Sequence, residues 1–317
     1  MFPKPGSEFS MISKAEIFGL RIDKSEIRPG VDIADLILKK CSEYGLDIED
    51  GDIIVITSKI LSVALGRLYD LNSVKPSFLA RLLSRFFKED ARVIELILRE
   101  GEPIGVIPVL KIERLLHLFE RYSVSNEQRR KALARAPYLF LVKTKYLILT
   151  DAGLDFSNVP PGYCTLPPKD PDEVAKEIML EIQRRTGRKV AVIITDTEFE
   201  ISRFGSRDIA IGCVGITPVS KKFGAPDLYK KPKFGGVDLI ADAIASMAGL
   251  LFGQTAESTP VVIIKGLNIP RSHEGIKDVS YLRINRAMIR VILFLILLET
   301  LKLKLLLSLA RLFGKYK

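Results

Sequence analysis

Val190-Ala191-Val192-Ile193-Ile194-Thr195-Asp196 is an apolar run that ends on a carboxylate. Its β-branched content and lack of polar alternation predict a buried strand that stops at Asp196. Asp52-Ile53-Ile54-Val55-Ile56-Thr57, opened by Gly51, is a second run of the same kind, and Val261 to Lys265, before Gly266, is a third.

Helix signals lie between these runs. Asp170 can cap a helix that begins at Pro171, Val174, Ile178 and Ile182 recur every four residues, and Gly187 ends it. Leu79 to Phe87, started by Lys75-Pro76-Ser77, and Ala91 to Arg99 predict two more, and Leu239 to Phe252 a small-residue-rich one. Tyr146 to Thr150 predicts a short strand. No internal repeat of about 20 to 50 residues occurs, which excludes a solenoid. The alternation predicts an α/β protein of mixed α+β type, and 317 residues suffice for two lobes.

Composition narrows the function. Cys41, Cys164 and Cys213 cannot all pair and lack CxxC spacing, which fits a reducing compartment and predicts a cytoplasmic protein. Residues 1–10 lack the apolar run of a secretory signal, and Gly6-Ser7-Glu8-Phe9 before Met11 reads as a tag or disordered leader. Of the net charge of +10, residues 271–317 carry +7 and the rest of the chain only +3. A basic groove through the main body, and hence a nucleic-acid partner, is not expected. Three Gln, five Asn and no Trp stand beside 48 basic and 38 acidic residues, a balance seen in proteins from hot environments.

The chemistry falls to carboxylates. His117 and His273 stand far in sequence from any other nucleophile or base, and no P-loop, Rossmann glycine fingerprint or nucleophile elbow is present. Asp151-Ala-Gly-Leu-Asp155-Phe-Ser157-Asn158 follows one predicted strand and Asp196-Thr197-Glu198 ends another, where α/β proteins place their ligands. A hard divalent cation takes one or two carboxylates with hydroxyls, waters and nucleotide phosphates, and Asp155, Asp196 and Thr197 supply that set. Taken alone, an Asx turn at Asp155 and a solvated strand end at Asp196 are the simpler readings.

Several short blocks change that balance. Gly51-Asp52-Ile-Ile-Val-Ile-Thr-Ser-Lys59-Ile-Leu-Ser62, Gly66-Arg67, Ala152-Gly-Leu-Asp155-Phe-Ser-Asn158-Val, Asp196-Thr197, Arg203, Ala210-Ile-Gly212 and Gly253-Gln254 occur in this order. The order resembles the coenzyme F420-0:γ-glutamyl ligase family from about Ile27 to Gly266. The resemblance implies a two-lobed ligase fold, an intertwined homodimer, GTP as energy source, Mg²⁺ or Mn²⁺ with a monovalent cation as a further candidate, and L-glutamate added to F420-0. It implies Asp155, Asp196 and Thr197 as the metal set, with Glu257 added. Asp196 and Arg203 then stand at the chemistry, and Lys59, Ser157, Asn158 and Gln254 at nucleotide or substrate.

The chain departs from the family pattern in places. Phe199-Glu200 replaces Gly-Arg, Val63 and Leu65 replace a lysine and a glutamate, a His-Gly is missing ahead of Asp151, and Asp151 itself replaces Asn. These changes leave a folate or pterin-like acceptor open, and also a non-catalytic, nucleotide-binding, membrane-associated relative. The expected organisation is a ligase-like domain over 11–270 with a basic helical insert at 111–136, a linker at 271–286 and a basic amphipathic helix at 287–317. That helix either packs on protein or lies at an anionic membrane surface, since its longest apolar run, Val291 to Leu298, is too short to span a bilayer.

Overall fold

A computed structural model describes residues 14–109, 113–135, 138–200, 202–281, 291 and 294–304, the side chains at 113–116 and 135 excepted. Its centre is a five-stranded sheet of β1 (Glu16–Leu20), β2 (Ile53–Thr57), β8 (Ala191–Phe199), β9 (Ser206–Val214) and β10 (Val261–Lys265), in the order β1-β10-β2-β8-β9. Only β2 and β8 pair in parallel, Ile53 opposite Ala191 through Thr57 opposite Thr195.

The apolar runs are central strands, covered on both faces. Ile54 and Ile56, with Val192, Ile194, Val261 and Ile263, face α1 (Ile33–Glu43), α2 (Ser58–Ala64) and α7 (Pro171–Thr186). Ile53 and Val55, with Ala191, Ile193, Val262 and Ile264, face α8 (Ile240–Phe252) and α9 (Ile276–Val279). A strand buried on both faces needs apolar residues at every position, hence the absence of alternation. The capping signals also hold: Asp170 accepts the Glu173 N–H, Pro171 opens α7, and Gly187 closes it in the left-handed region.

A separate core belongs to the second lobe. Here α3 (Phe78–Phe87) and α4 (Ala91–Glu100) pack on the three-stranded sheet of β4 (Glu102–Ile107), β5 (Leu139–Lys143) and β6 (Ile148–Thr150), and on the pair β3 (Leu68–Asp70) and β7 (Tyr163–Thr165). The basic segment forms α5 (Glu113–Tyr122) and α6 (Asn126–Arg135).

Two expectations are corrected. The strand from Val190 does not stop at Asp196 but runs to Phe199, because β9 pairs with it out to Phe199 opposite Ser206. The strand expected from Tyr146 begins at Ile148, since Thr144 and Leu147 bond to each other in a turn.

Asp172 ties the C-terminal segment to the sheet. Its buried carboxylate accepts the backbone N–H groups of Cys213 (2.8 Å), Ile276 (3.0 Å) and Lys277 (2.9 Å). Residues 294–304 are helical and exposed throughout, whereas the rest of the amphipathic helix expected over 287–317, apart from residue 291, lies outside the described residues. No helix among the described residues is long and apolar enough to cross a membrane.

Candidate functional site

The C-terminal ends of β2 and β8 open into a cleft of about 1120 Å³ between the two lobes. Its walls include Ser58 and Lys59 from the start of α2, the turn after β6, and residues 253–260 that follow α8. Asp196 lines it beside the β2–α2 junction, accepting the Ser58 hydroxyl at 3.1 Å and the Thr197 N–H at 3.0 Å. Removal from water, with the Asp155 carboxylate nearby, pushes the Asp196 carboxyl up to about 7 against those two hydrogen bonds.

Asp155 comes from the second lobe, where its backbone bridges Thr165 of β7. Its carboxylate pairs with Lys59 Nζ at 2.8 Å and accepts the Ser157 N–H (2.6 Å) and hydroxyl (3.1 Å). Lys59 also donates to Ser157 Oγ. The Asx turn foreseen as the plain reading is therefore present, and its outer face meets a lysine from the other lobe.

The approach between lobes is enforced by backbone. Asp151, Ala152 and Gly153 have φ of 48°, 58° and 75°, three successive left-handed residues. Such conformations cost free energy outside glycine and persist where the surroundings fix them. At Gly153 a Cβ would lie 2.7 Å from Asp196 Oδ2 and 2.5 Å from Pro167 Cγ, so only glycine fits. Asp151 accepts the Phe140 N–H at 2.8 Å, and burial, reinforced by the Glu89 and Glu198 carboxylates, pushes it up to about 7.

The other nominated residues divide. Thr197 donates its hydroxyl toward Asp208 Oδ1 at 3.1 Å, with Gln254 Oε1 at 3.4 Å. Asn158 donates to the Thr255 carbonyl at 2.8 Å, joining the two walls. Glu257 lines the cleft, but its carboxylate accepts the Thr255 N–H and hydroxyl within its own turn. Arg203 is exposed and is not part of the cleft wall. The reversed charge at Glu200 accepts from Ser202 and pairs with Arg207 at 3.4 Å, also off the wall. Both histidines are exposed.

Sequence reading gives no role to Ser58, Glu198 or Asp208. Ser58 adjoins Lys59 in the quoted block, and Glu198, which accepts the Thr150 N–H at 2.8 Å, adjoins Thr197. Asp208 reaches the cleft only because β9 folds back on β8, and no residue near it in sequence signals that.

The donor set is all oxygen, as a hard cation requires. Two carboxylates from different lobes are at hand, and the buried Thr195 hydroxyl on the wall has no hydrogen-bond partner among the described residues. No group of three His, Cys, Asp or Glu able to hold a metal is found among the described residues. The residues thus fit a Mg²⁺ or Mn²⁺ shared with substrate phosphates better than one caged by protein alone.

Comparisons with known proteins agree with the blocks quoted above. The family model described as F420-0:Gamma-glutamyl ligase matches residues 21–266. A coenzyme F420:L-glutamate ligase of Methanothermobacter thermautotrophicus is 35% identical over 237 residues, 75% of this chain and 83% of that protein. The namesake from Methanopyrus kandleri is 32% identical over 243 residues, 76% of this chain and 83% of its own, and that of Methanocaldococcus jannaschii 32% over 258 residues, 81% and 90%. With a matched span that holds every residue of the cleft wall, the chain belongs to the F420-0:γ-glutamyl ligase family.

Proposed function

We propose that the chain uses GTP to join the amine of L-glutamate to the carboxylate of coenzyme F420-0. The observation that carries this reading is the meeting of Asp196, Asp155 and Lys59 in one cleft of a chain in this family. In the proposed reaction the acceptor carboxylate attacks the γ-phosphorus of GTP, and GDP leaves with the electron pair of the broken P–O bond. The glutamate amine then attacks the acyl phosphate carbon, phosphate departs, and the surplus amine proton passes to solvent.

Such transfers depend on positioning and charge neutralisation. Lys59 brings a cation to the rim, and Ser58 and the Thr197 N–H hold the Asp196 carboxylate in place. Asp155 and Asp196 would hold Mg²⁺ or Mn²⁺, which when bound supplies positive charge against the phosphates. The apolar walls at Ile60, Leu154 and Phe252 keep water from the acyl phosphate. A homodimer belongs to the same proposal, with sedimentation velocity as its check.

The test is release of inorganic phosphate from GTP with Mn²⁺, L-glutamate and F420-0. Release that requires glutamate, and falls at least about a hundredfold in Asp196→Ala, is expected. Binding of GTP without release in any glutamate-dependent assay would sink the ligase reading. A second acceptor is favoured by one observation: Val63 and Phe199 both line the cleft at positions that depart from the family pattern. Release with a folate in place of F420-0 would select that reading.

A further inference from the structure

We propose that Asp208 is a positioning residue that turns the Thr197 hydroxyl into an acceptor-only group and so fixes which wall of the cleft receives the cation. Thr197 and Asp208 face each other across the β8–β9 pair. A hydroxyl has one proton to give, and two acceptors lie within reach of Thr197 Oγ1, Asp208 Oδ1 at 3.1 Å and Gln254 Oε1 at 3.4 Å. The nearer and more basic acceptor is the carboxylate, so the proton points to Asp208 and the lone pairs are left for the cleft. An oxygen in that state can ligate a cation or accept an N–H, and it cannot donate to a phosphate oxygen.

Asp208 is unusually constrained for a residue with no assigned part. It is 5% exposed. Its carbonyl accepts the Ser246 hydroxyl at 2.7 Å, and its second carboxylate oxygen accepts the Gln254 amide at 3.4 Å. Helix α8 gives way to it as well, since a Cβ at Gly249 would fall 2.3 Å from Asp208 Oδ2. One carboxylate thus orients Thr197 on β8 and Gln254 past the end of α8, both nominated from sequence for the site, from within the same wall.

The inference rests on the proposed use of a divalent cation with GTP. Mn²⁺ affinity of the full chain, read by titration calorimetry in the presence of GDP, tests it without turnover. Asp208→Ala is expected to weaken Mn²⁺ at least about tenfold, and Asp208→Asn, which keeps an acceptor for Thr197, by no more than about threefold. Thr197→Val should reproduce the alanine loss, and Thr197→Val with Asp208→Ala should be no worse than either alone, because both act through one oxygen. Mn²⁺ affinity unchanged in Asp208→Ala, or additive losses in the double variant, would overturn the positioning role. Should Asp208→Ala not fold, the Asn variant decides together with Thr197→Val: a tenfold loss in the first with none in the second refutes it. Absence of Mn²⁺ binding by the unaltered chain would instead refute the underlying cation reading.

Discussion

At the scale of single residues the cleft wall carries two carboxyls, of Asp151 and Asp196, held where water is scarce. Asp151, like Asp196, has its carboxyl pushed up to about 7, here by burial and by Glu89 and Glu198. A carboxyl raised in the folded state stays protonated there while the unfolded chain ionises near the ordinary value of 3.8, so stability falls as pH rises from about 4 to about 7 and then levels. Asp151→Asn removes that slope and suits the left-handed backbone at φ 48°. Its unfolding free energy from urea titration is expected to match the unaltered protein at about pH 4 and to exceed it at about pH 8 by on the order of 1–3 kcal/mol. Asp155, Asp196, Thr197, Lys59 and Gln254 were legible because they stand in short blocks, whereas Asp208 was not, because a contact across two strands and a helix leaves no local spacing to read.

At the scale of elements, what could be read were the pieces whose sequence carries its own physics. The doubly buried strands β2, β8 and β10 have continuous apolar runs, and α3, α4 and α7 have caps at Ser77, Asp90 and Asp170. Strands β1, β4 and β9 escaped notice because each takes its role from a neighbour: β1 lies at a sheet edge beside β10, and β9 mixes Ser206, Arg207 and Asp208 with apolar residues. Asp172 shows how such pieces are joined, one carboxylate accepting N–H groups from β9 and the start of α9. Asp172→Ala strands three backbone donors and is expected to lower stability by about 3 kcal/mol or more, measured by denaturant unfolding. Hydrogen exchange in the same variant should speed up at Cys213, Ile276 and Lys277 before it does at the centre of β2.

At the scale of the whole molecule, two lobes with separate cores are bridged by ion pairs that include Lys59 with Asp155 in the cleft and Lys145 with Asp170 outside it. A ligand that binds Asp155 and Asp196 together stabilises the native assembly of both lobes, by about 2.7 kcal/mol at a concentration a hundred times its Kd. Melting with GTP and Mn²⁺, then with chelator added, is expected to show a rise in Tm that the chelator reverses and that Asp196→Asn lacks. The positive excess lies at the other extreme of the chain, in 271–317, where helix 294–304 exposes Phe294, Leu297 and Leu301. Flotation with phosphatidylglycerol-containing vesicles, weakened by added salt and absent with pure phosphatidylcholine, would select the membrane-surface alternative for this helix, and no flotation with either would select packing on protein. The cleft itself has a mechanical limit. Because no methyl group fits between Gly153 and the Asp196 carboxylate, the lobes already touch there as closely as atoms allow. Any larger residue there would be a wedge, prising the turn at 151–153 away from the Asp196 wall and widening the mouth of the cleft.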